Sequence, residues 1–237
     1  MQKACRLSAQ VLKLAGEMVE PGVSTGEIDR AVKKFILSHG GQAVPFWGYG
    51  GFPGSACISI NDQVIHGIPG GRVIQAGDIV SVDVGAFIGG FHGDNAATFA
   101  AGDVSPEAQR LMDATRRSLE LGIEAAVPGN RIGDIGFAVQ SYIESQGFSV
   151  VREFVGHGVG RDLHEEPEVP NYGRPGHGAR LVPGMTIAIE PMVNQKGYQV
   201  EVLGDGWTTV TKDGGLSAHF ENTIAITESG PVILTRP

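Results

Sequence analysis

The sequence predicts an α+β fold built as a pseudo-twofold repeat, each half a pair of helices followed by antiparallel strands. Two observations carry the repeat. Pro21-Gly22-x3-Gly26-Glu27-Ile28 returns 107 residues later as Pro128-Gly129-x3-Gly133-Asp134-Ile135. At the same offset Gly77-x-x-Val80-x-Val82-Asp83 returns as Gly184-x-x-Ile187-x-Ile189-Glu190. The third observation is continuity: no linker or low-complexity run divides the 237 residues. One domain over 1–237 is therefore expected, with halves at about 1–104 and 105–237.

The elements follow in order. A first helix, with Val11, Leu12, Leu14, Ala15, Met18 and Val19 at helical spacing, ends near Pro21-Gly22. A second starts at Ser24, where Ser24-x-x-Glu27 has the form of a capping box, and stops at Gly40-Gly41. A glycine-rich aromatic loop spans 46–54. Strands are predicted over Ala56–Ile60 and Ile79–Ala86, and the turn Ile88-Gly89-Gly90 returns the chain as a hairpin over Phe91–Ala100. Ser105-Pro106-Glu107 opens a third helix running to about Ala126. A fourth, Arg131 to about Gln146, aligns Ile132, Ile135, Val139 and Ile143. Beyond it the clearest strands are Met185–Ile189 and His219–Thr227. His92-Gly93-Asp94-Asn95 resembles His219-Phe220-Glu221-Asn222 at an offset of 127, as if the second half carried 20 more residues between its paired strands.

Composition excludes several classes. The 36 glycines and 13 prolines lack a G-X-Y period, so a collagen-like chain is ruled out. Hydrophobic residues at 41% with 19% charged residues suffice for a core and are too apolar for a disordered chain. A net charge of -8 argues against nucleic acid as a direct partner. Cys5 and Cys57 form no C-x-x-C pair, which fits a reduced, cytoplasmic setting. Residues 1–20 lack the continuous apolar run of a signal peptide or membrane span, so a soluble chain is expected.

Asp83, Asp94, Glu190 and Glu221 lie within or beside apolar strands. Acids buried there are costly unless they are paired or bind metal, and four brought together by two related hairpins repel one another without a cation. Four carboxylates with one histidine suffice for two divalent ions bridged by shared carboxylates. His157 lies among Gly156, Gly158 and Gly160, and His164 follows seven residues on; the glycines oppose the helical H-E-x-x-H zinc motif. This segment alone leaves two readings of His157 open, a ligand-facing residue or an exposed loop residue, and the same holds for His66. His92 and His219 precede two of the acids and are read either as partners of the ligands or as core, and His39 and His177 as exposed.

These residues, within SVDVGAFIGGFHGD, GHGVGRDLHEEP, IAIEPM and HFENT, resemble the bacterial type I methionine aminopeptidases, which have the pita-bread fold, from about residue 5 to 230. The resemblance implies a dinuclear centre in which Asp94 and Glu221 bridge both ions, Asp83 completes one and His157 with Glu190 the other. It implies attack of a metal-bridging water or hydroxide on the first peptide bond, releasing N-terminal methionine when the second residue is small and uncharged. Glu190 is then the proton acceptor, His164 the group at the scissile amide, and His66 a neighbour of the substrate backbone and leaving amine. Tyr49, Phe52, Cys57, Leu163 and Trp207 match the methionine pocket, although Leu163 replaces a more common phenylalanine and Phe46 stands where a cysteine is frequent. The implied cofactors are two divalent metal ions, Co, Mn, Fe or Zn, and one monovalent cation at Asn61, Gln63 and Ser217. The implied partners are the N-terminal peptides of nascent proteins and the ribosome, without nucleic acid or membrane, for a cytoplasmic monomer. Two alternatives remain: a proline-directed aminopeptidase or dipeptidase of the same fold, which usually carries an additional N-terminal domain, and a catalytically silent peptide or ribosome binder, whose known examples lose metal ligands. A type II enzyme is disfavoured by the lack of a long insertion between His157 and Glu190.

Overall fold

The computed structural model describes residues 1–42 and 44–236. Ala43 and Pro237, both inside the domain expected over 1–237, lie outside them. The helices are α1 (Gln2–Glu17), α2 (Thr25–Ser38), α3 (Pro106–Ala125) and α4 (Ile132–Ser145). The strands are β1 (Cys57–Ile60), β2 (Gln63–Ile65), β3 (Ile79–Ile88), β4 (Phe91–Ala100), β5 (Ser149–Val150), β6 (Gly156–Gly158), β7 (Glu165–Val169), β8 (Thr186–Ile189), β9 (Met192–Asn194), β10 (Val200–Val202), β11 (Thr209–Thr211), β12 (Ser217–His219), β13 (Asn222–Thr227) and β14 (Gly230–Ile233). They form sheets β1-β3-β4, β10-β11-β2, β12-β9-β5 and β14-β13-β8-β6-β7, in which every pairing is antiparallel.

The helix starts follow the capping signals. Ser24 N–H donates to Glu27 Oε2 at 2.8 Å, and Arg131 N–H donates to Asp134 Oδ2 at 2.7 Å. Ser105 Oγ accepts from Ala108 N–H at 3.1 Å with Pro106 in the first turn. One apolar face of α1, with Leu7, Val11 and Ala15, packs with Ile28, Val32 and Ile36 of α2 against the β1-β3-β4 sheet. α1 lies so close to β4 that a Cβ at Gly93 would stand 2.5 Å from Cys5 N.

The repeat extends to single hydrogen bonds. Gly22 N–H donates to Ile74 O at 2.9 Å, and Gly129 N–H donates to Leu181 O at 3.0 Å. Gly26 N–H bonds Gly70 O as Gly133 N–H bonds His177 O, again 107 residues on. In the second strand of each hairpin the register corrects the expected offset of 127. Val82 faces Ala97 and Ile189 faces Asn222, so the strands correspond at 125. The strand expected over His219–Thr227 is likewise two strands: β12 pairs with β9 and β13 with β8, and Phe220-Glu221 forms the break between them. The partner changes from β9 to β8 across these two residues, and Glu221 stands at that change.

The halves meet along a short antiparallel ladder. Glu221 N–H donates to Ala96 O at 2.8 Å. On one side Thr98 Oγ1 donates to His219 O and accepts from His219 N–H, both at 2.9 Å. On the other side Thr223 Oγ1 donates to Asp94 O at 2.7 Å and accepts from Asp94 N–H at 3.3 Å.

Candidate active site

Asp83 on β3 lies opposite Ala96, and Asp94 on β4 lies opposite Gly85. The two acids therefore point to one face of the hairpin, two residues apart on neighbouring strands. Glu190 directly follows β8, and Glu221 occupies the break before β13. His157 is the central residue of β6, between β7 and β8. Its flanking glycines are obligatory: a Cβ at Gly156 would strike Ala188 O, and one at Gly158 would strike Glu166 O.

The chain thus brings five residues from five segments together. His157 Nδ1 lies 2.8 Å from its neighbour Gly158 O, which fixes the proton there and turns Nε2 inward as an acceptor. Nε2 is 3.6 Å from Glu190 Oε1 and 3.9 Å from Asp94 Oδ2. Asp94, His157 and Glu221 offer ligand atoms within 4.8 Å of one another. Asp83 Oδ1, Asp94 Oδ1 and Glu221 Oε1 are buried without a hydrogen-bond partner among the described residues.

Electrostatics record the strain of that arrangement. Burial pushes the Asp94 carboxyl up to about 7, with His157 opposing and Glu190 adding to the rise. Burial, then the neighbouring Asp94 and Glu190, raises both Asp83 and Glu221 well above the usual carboxylate range. Unpartnered oxygens on clustered acids, beside one imidazole acceptor, suit a divalent cation of intermediate hardness. The donor set fits a metal.

Residues 1–228 match the family described as Metallopeptidase family M24. The chain belongs to this family. As an M24 metallopeptidase it uses divalent metal ions, and its fold is the pita-bread fold expected above. A methionine aminopeptidase of Clostridium perfringens is 54% identical over 99% of this chain and 94% of its own length. The crystal structure of the methionine aminopeptidase of Thermotoga maritima superposes with a TM-score of 0.98 at 44% identity, covering 100% of this chain and 95% of that one. A prolidase of Pyrococcus furiosus shares the fold alone, at 23% identity and a TM-score of 0.77, with this chain covering 62% of it.

Beside the carboxylates of this M24 protein opens a cavity of about 210 Å³. The expected pocket residues Phe52, Cys57, Leu163 and Trp207 line it, and Phe46 packs with them in one apolar cluster. Tyr49 stands at its mouth, 47% exposed, and its hydroxyl lies 2.7 Å from His164 Nδ1. The His164 ring is 4.3 Å from that of His157. Loss of hydration, then the neighbouring His157, pushes His164 down to about 4, so it is neutral near pH 7. Glu165 shapes this loop by accepting the Arg161 and Asp162 N–H groups on Oε1. His66 also lines the cavity, in the left-handed region at φ 58°, edge-on to Phe154 and Trp207, and burial lowers its pKa.

The structure adds residues that sequence reading missed. Phe154 and Ile65 line the pocket. Asn171 Nδ2 donates to Glu190 O at 3.0 Å. Asn61 and Ser217 do come together, since Ser217 N–H donates to Asn61 O at 2.8 Å, while Gln63 Oε1 accepts from Ile60 N–H. His39 and His177 are exposed, as expected.

Proposed function

We propose that this metallopeptidase removes N-terminal methionine from peptides and nascent proteins whose second residue is small and uncharged. The observation that carries the reading is a cavity with an apolar wall of Phe52, Cys57, Leu163 and Trp207 that is continuous with the carboxylate cluster. Its volume suits one unbranched thioether side chain, and its aromatic and thiol walls are favourable neighbours for sulfur. Names of the relatives point the same way.

In this reading Asp83, Asp94, His157, Glu190 and Glu221 hold two divalent ions, drawn from Co, Mn, Fe or Zn. When bound, such cations polarise the scissile carbonyl and acidify water beside it. The protein's own groups do the rest. Methionine enters the pocket and places the first peptide bond between Glu190 and His164. Glu190 takes the proton of the attacking water and delivers it to the leaving amine. His164, neutral and fixed at Nδ1 by Tyr49, turns Nε2–H to the carbonyl oxygen and stabilises the charge that develops there. His66, edge-on to Phe154 and Trp207 in the cavity lining, lies along the substrate backbone in this reading. The same reading treats 1–237 as one domain of two halves, acting as a cytoplasmic monomer on chains leaving the ribosome, with a monovalent cation at Asn61, Gln63 and Ser217.

The test is incubation of the purified protein with Met-Ala-Ser and with Xaa-Pro control peptides across several divalent metals. Free methionine is expected from the first only. Release from the proline peptides instead, or no release with any metal, overturns the reading.

A further inference from the structure

The ladder between the halves has its own symmetry. Asp94 pairs with Thr223 as His219 pairs with Thr98, each at both backbone polar groups, and the corresponding residues, Asp94 with His219 and Thr98 with Thr223, stand 125 residues apart. Asp83 and Glu190 are likewise related, at 107, in strands of matching register. The position beside Asp83 that holds a carboxylate, Asp94, therefore corresponds to a position beside Glu190 that holds an imidazole, His219. His219 is 1% exposed. Its Nε2 stands 3.4 Å from Glu190 Oε2 and has no hydrogen-bond partner among the described residues.

We propose that His219 is a positioning residue for Glu190, holding its Oε2 so that Oε1 faces His157 and the cluster. Three contacts make the arrangement rigid. Asn171 fixes the Glu190 main chain through its carbonyl, which leaves only the side chain to be oriented. Thr98 pins His219 at both N–H and C=O, and Ser81 Oγ, 2.8 Å from Thr98 Oγ1, holds Thr98 in turn. Glu190 Oε1, 3.6 Å from His157 Nε2, is then the free oxygen. Among the described residues no hydrogen bond claims this buried nitrogen, and Glu190 Oε2 faces it at 3.4 Å, so the imidazole and Oε2 are mutually constrained. The proposal rests on the reading of Glu190 as metal ligand and proton acceptor.

The test uses His219→Leu, His219→Gln and Thr98→Val, each stripped of metal and titrated with Mn(II) by calorimetry, with kcat, KM and melting temperature measured alongside. His219→Leu is expected to weaken Mn(II) binding and lower kcat by about tenfold with little change in KM. His219→Gln, which keeps an N–H donor, is expected to recover most of both. Thr98→Val, which keeps the imidazole and loosens its anchor, is expected to shift Mn(II) affinity in the same direction. Affinity and kcat unchanged in His219→Leu overturn the proposal. So does equal impairment of Leu and Gln variants in step with their melting temperatures, which marks packing alone, or an unchanged Mn(II) affinity in folded Thr98→Val. If the unaltered protein binds Mn(II) but frees no methionine, the functional reading fails and the affinity comparison still decides the role of His219. If it binds no Mn(II), both fail.

Discussion

At the scale of the residue, the hydroxyl of Tyr49 decides what His164 can do. A neutral imidazole has one N–H, and with the Tyr49 hydroxyl donating to Nδ1 that proton sits on Nε2, the tautomer that the proposed role of His164 requires. Tyr49→Phe frees the tautomer, and kcat is expected to fall by about tenfold with methionine release as the measure. Glu190→Ala removes the proposed proton carrier and is expected to cost at least about a hundredfold in kcat. Cys5, pushed up to about 12 chiefly by burial, should resist iodoacetamide at pH 8 in the folded protein and react once denatured, as mass spectrometry would show. The four acids stood out in the sequence only together, through the matched offsets that put them in apolar strands, while His157, His164 and His66 stayed open in their own segments and took their roles from the family resemblance. Thr98, Asn171 and Phe154 did not stand out. A threonine in a strand or a phenylalanine before a strand looks like ordinary packing until residues 121 positions away, such as His219, arrive beside it.

At the scale of the element, close approach replaces chemistry as the constraint. α1 presses its backbone at Cys5 against Gly93 of β4, one residue from Asp94. Gly93→Val has no space to enter and is expected to lower stability by about 2 kcal/mol or more, seen as an earlier urea midpoint with an unchanged slope. The four helices and the β3-β4 hairpin were readable from caps, periodicity and the Gly89-Gly90 turn, where both residues take positive φ. Strands of two or three residues, such as β5 and β12, are too short to show alternation. The break at Phe220-Glu221 left no mark either, because the residues on both sides continue as a strand and only the partner sheet changes.

At the scale of the whole molecule, the carboxylate cluster sets how stability answers to pH. Asp94 holds its proton up to about 7 when folded and releases it near the ordinary aspartate value when unfolded. The folded state therefore binds more protons between those values, and metal-free protein should lose melting temperature as pH rises through that window. Divalent metal binds the ionised form, so its stabilisation should grow over the same range, and EDTA should reveal the slope in a calorimetric series. This coupling was foreseeable from acids placed in apolar strands, while its strength depends on burial that only the folded chain shows.

The contact of Ala96 with Glu221 at the seam says something about ancestry and economy. In a dimer of identical half-length subunits, axis-related positions must carry the same residue, so this pair would be two alanines or two glutamates. The first lacks a bridging acid and the second crowds another negative charge into a space already short of counterions. Tandem fusion onto one polypeptide frees the two sites to diverge, so an odd number of protein groups can meet at a near-symmetric centre.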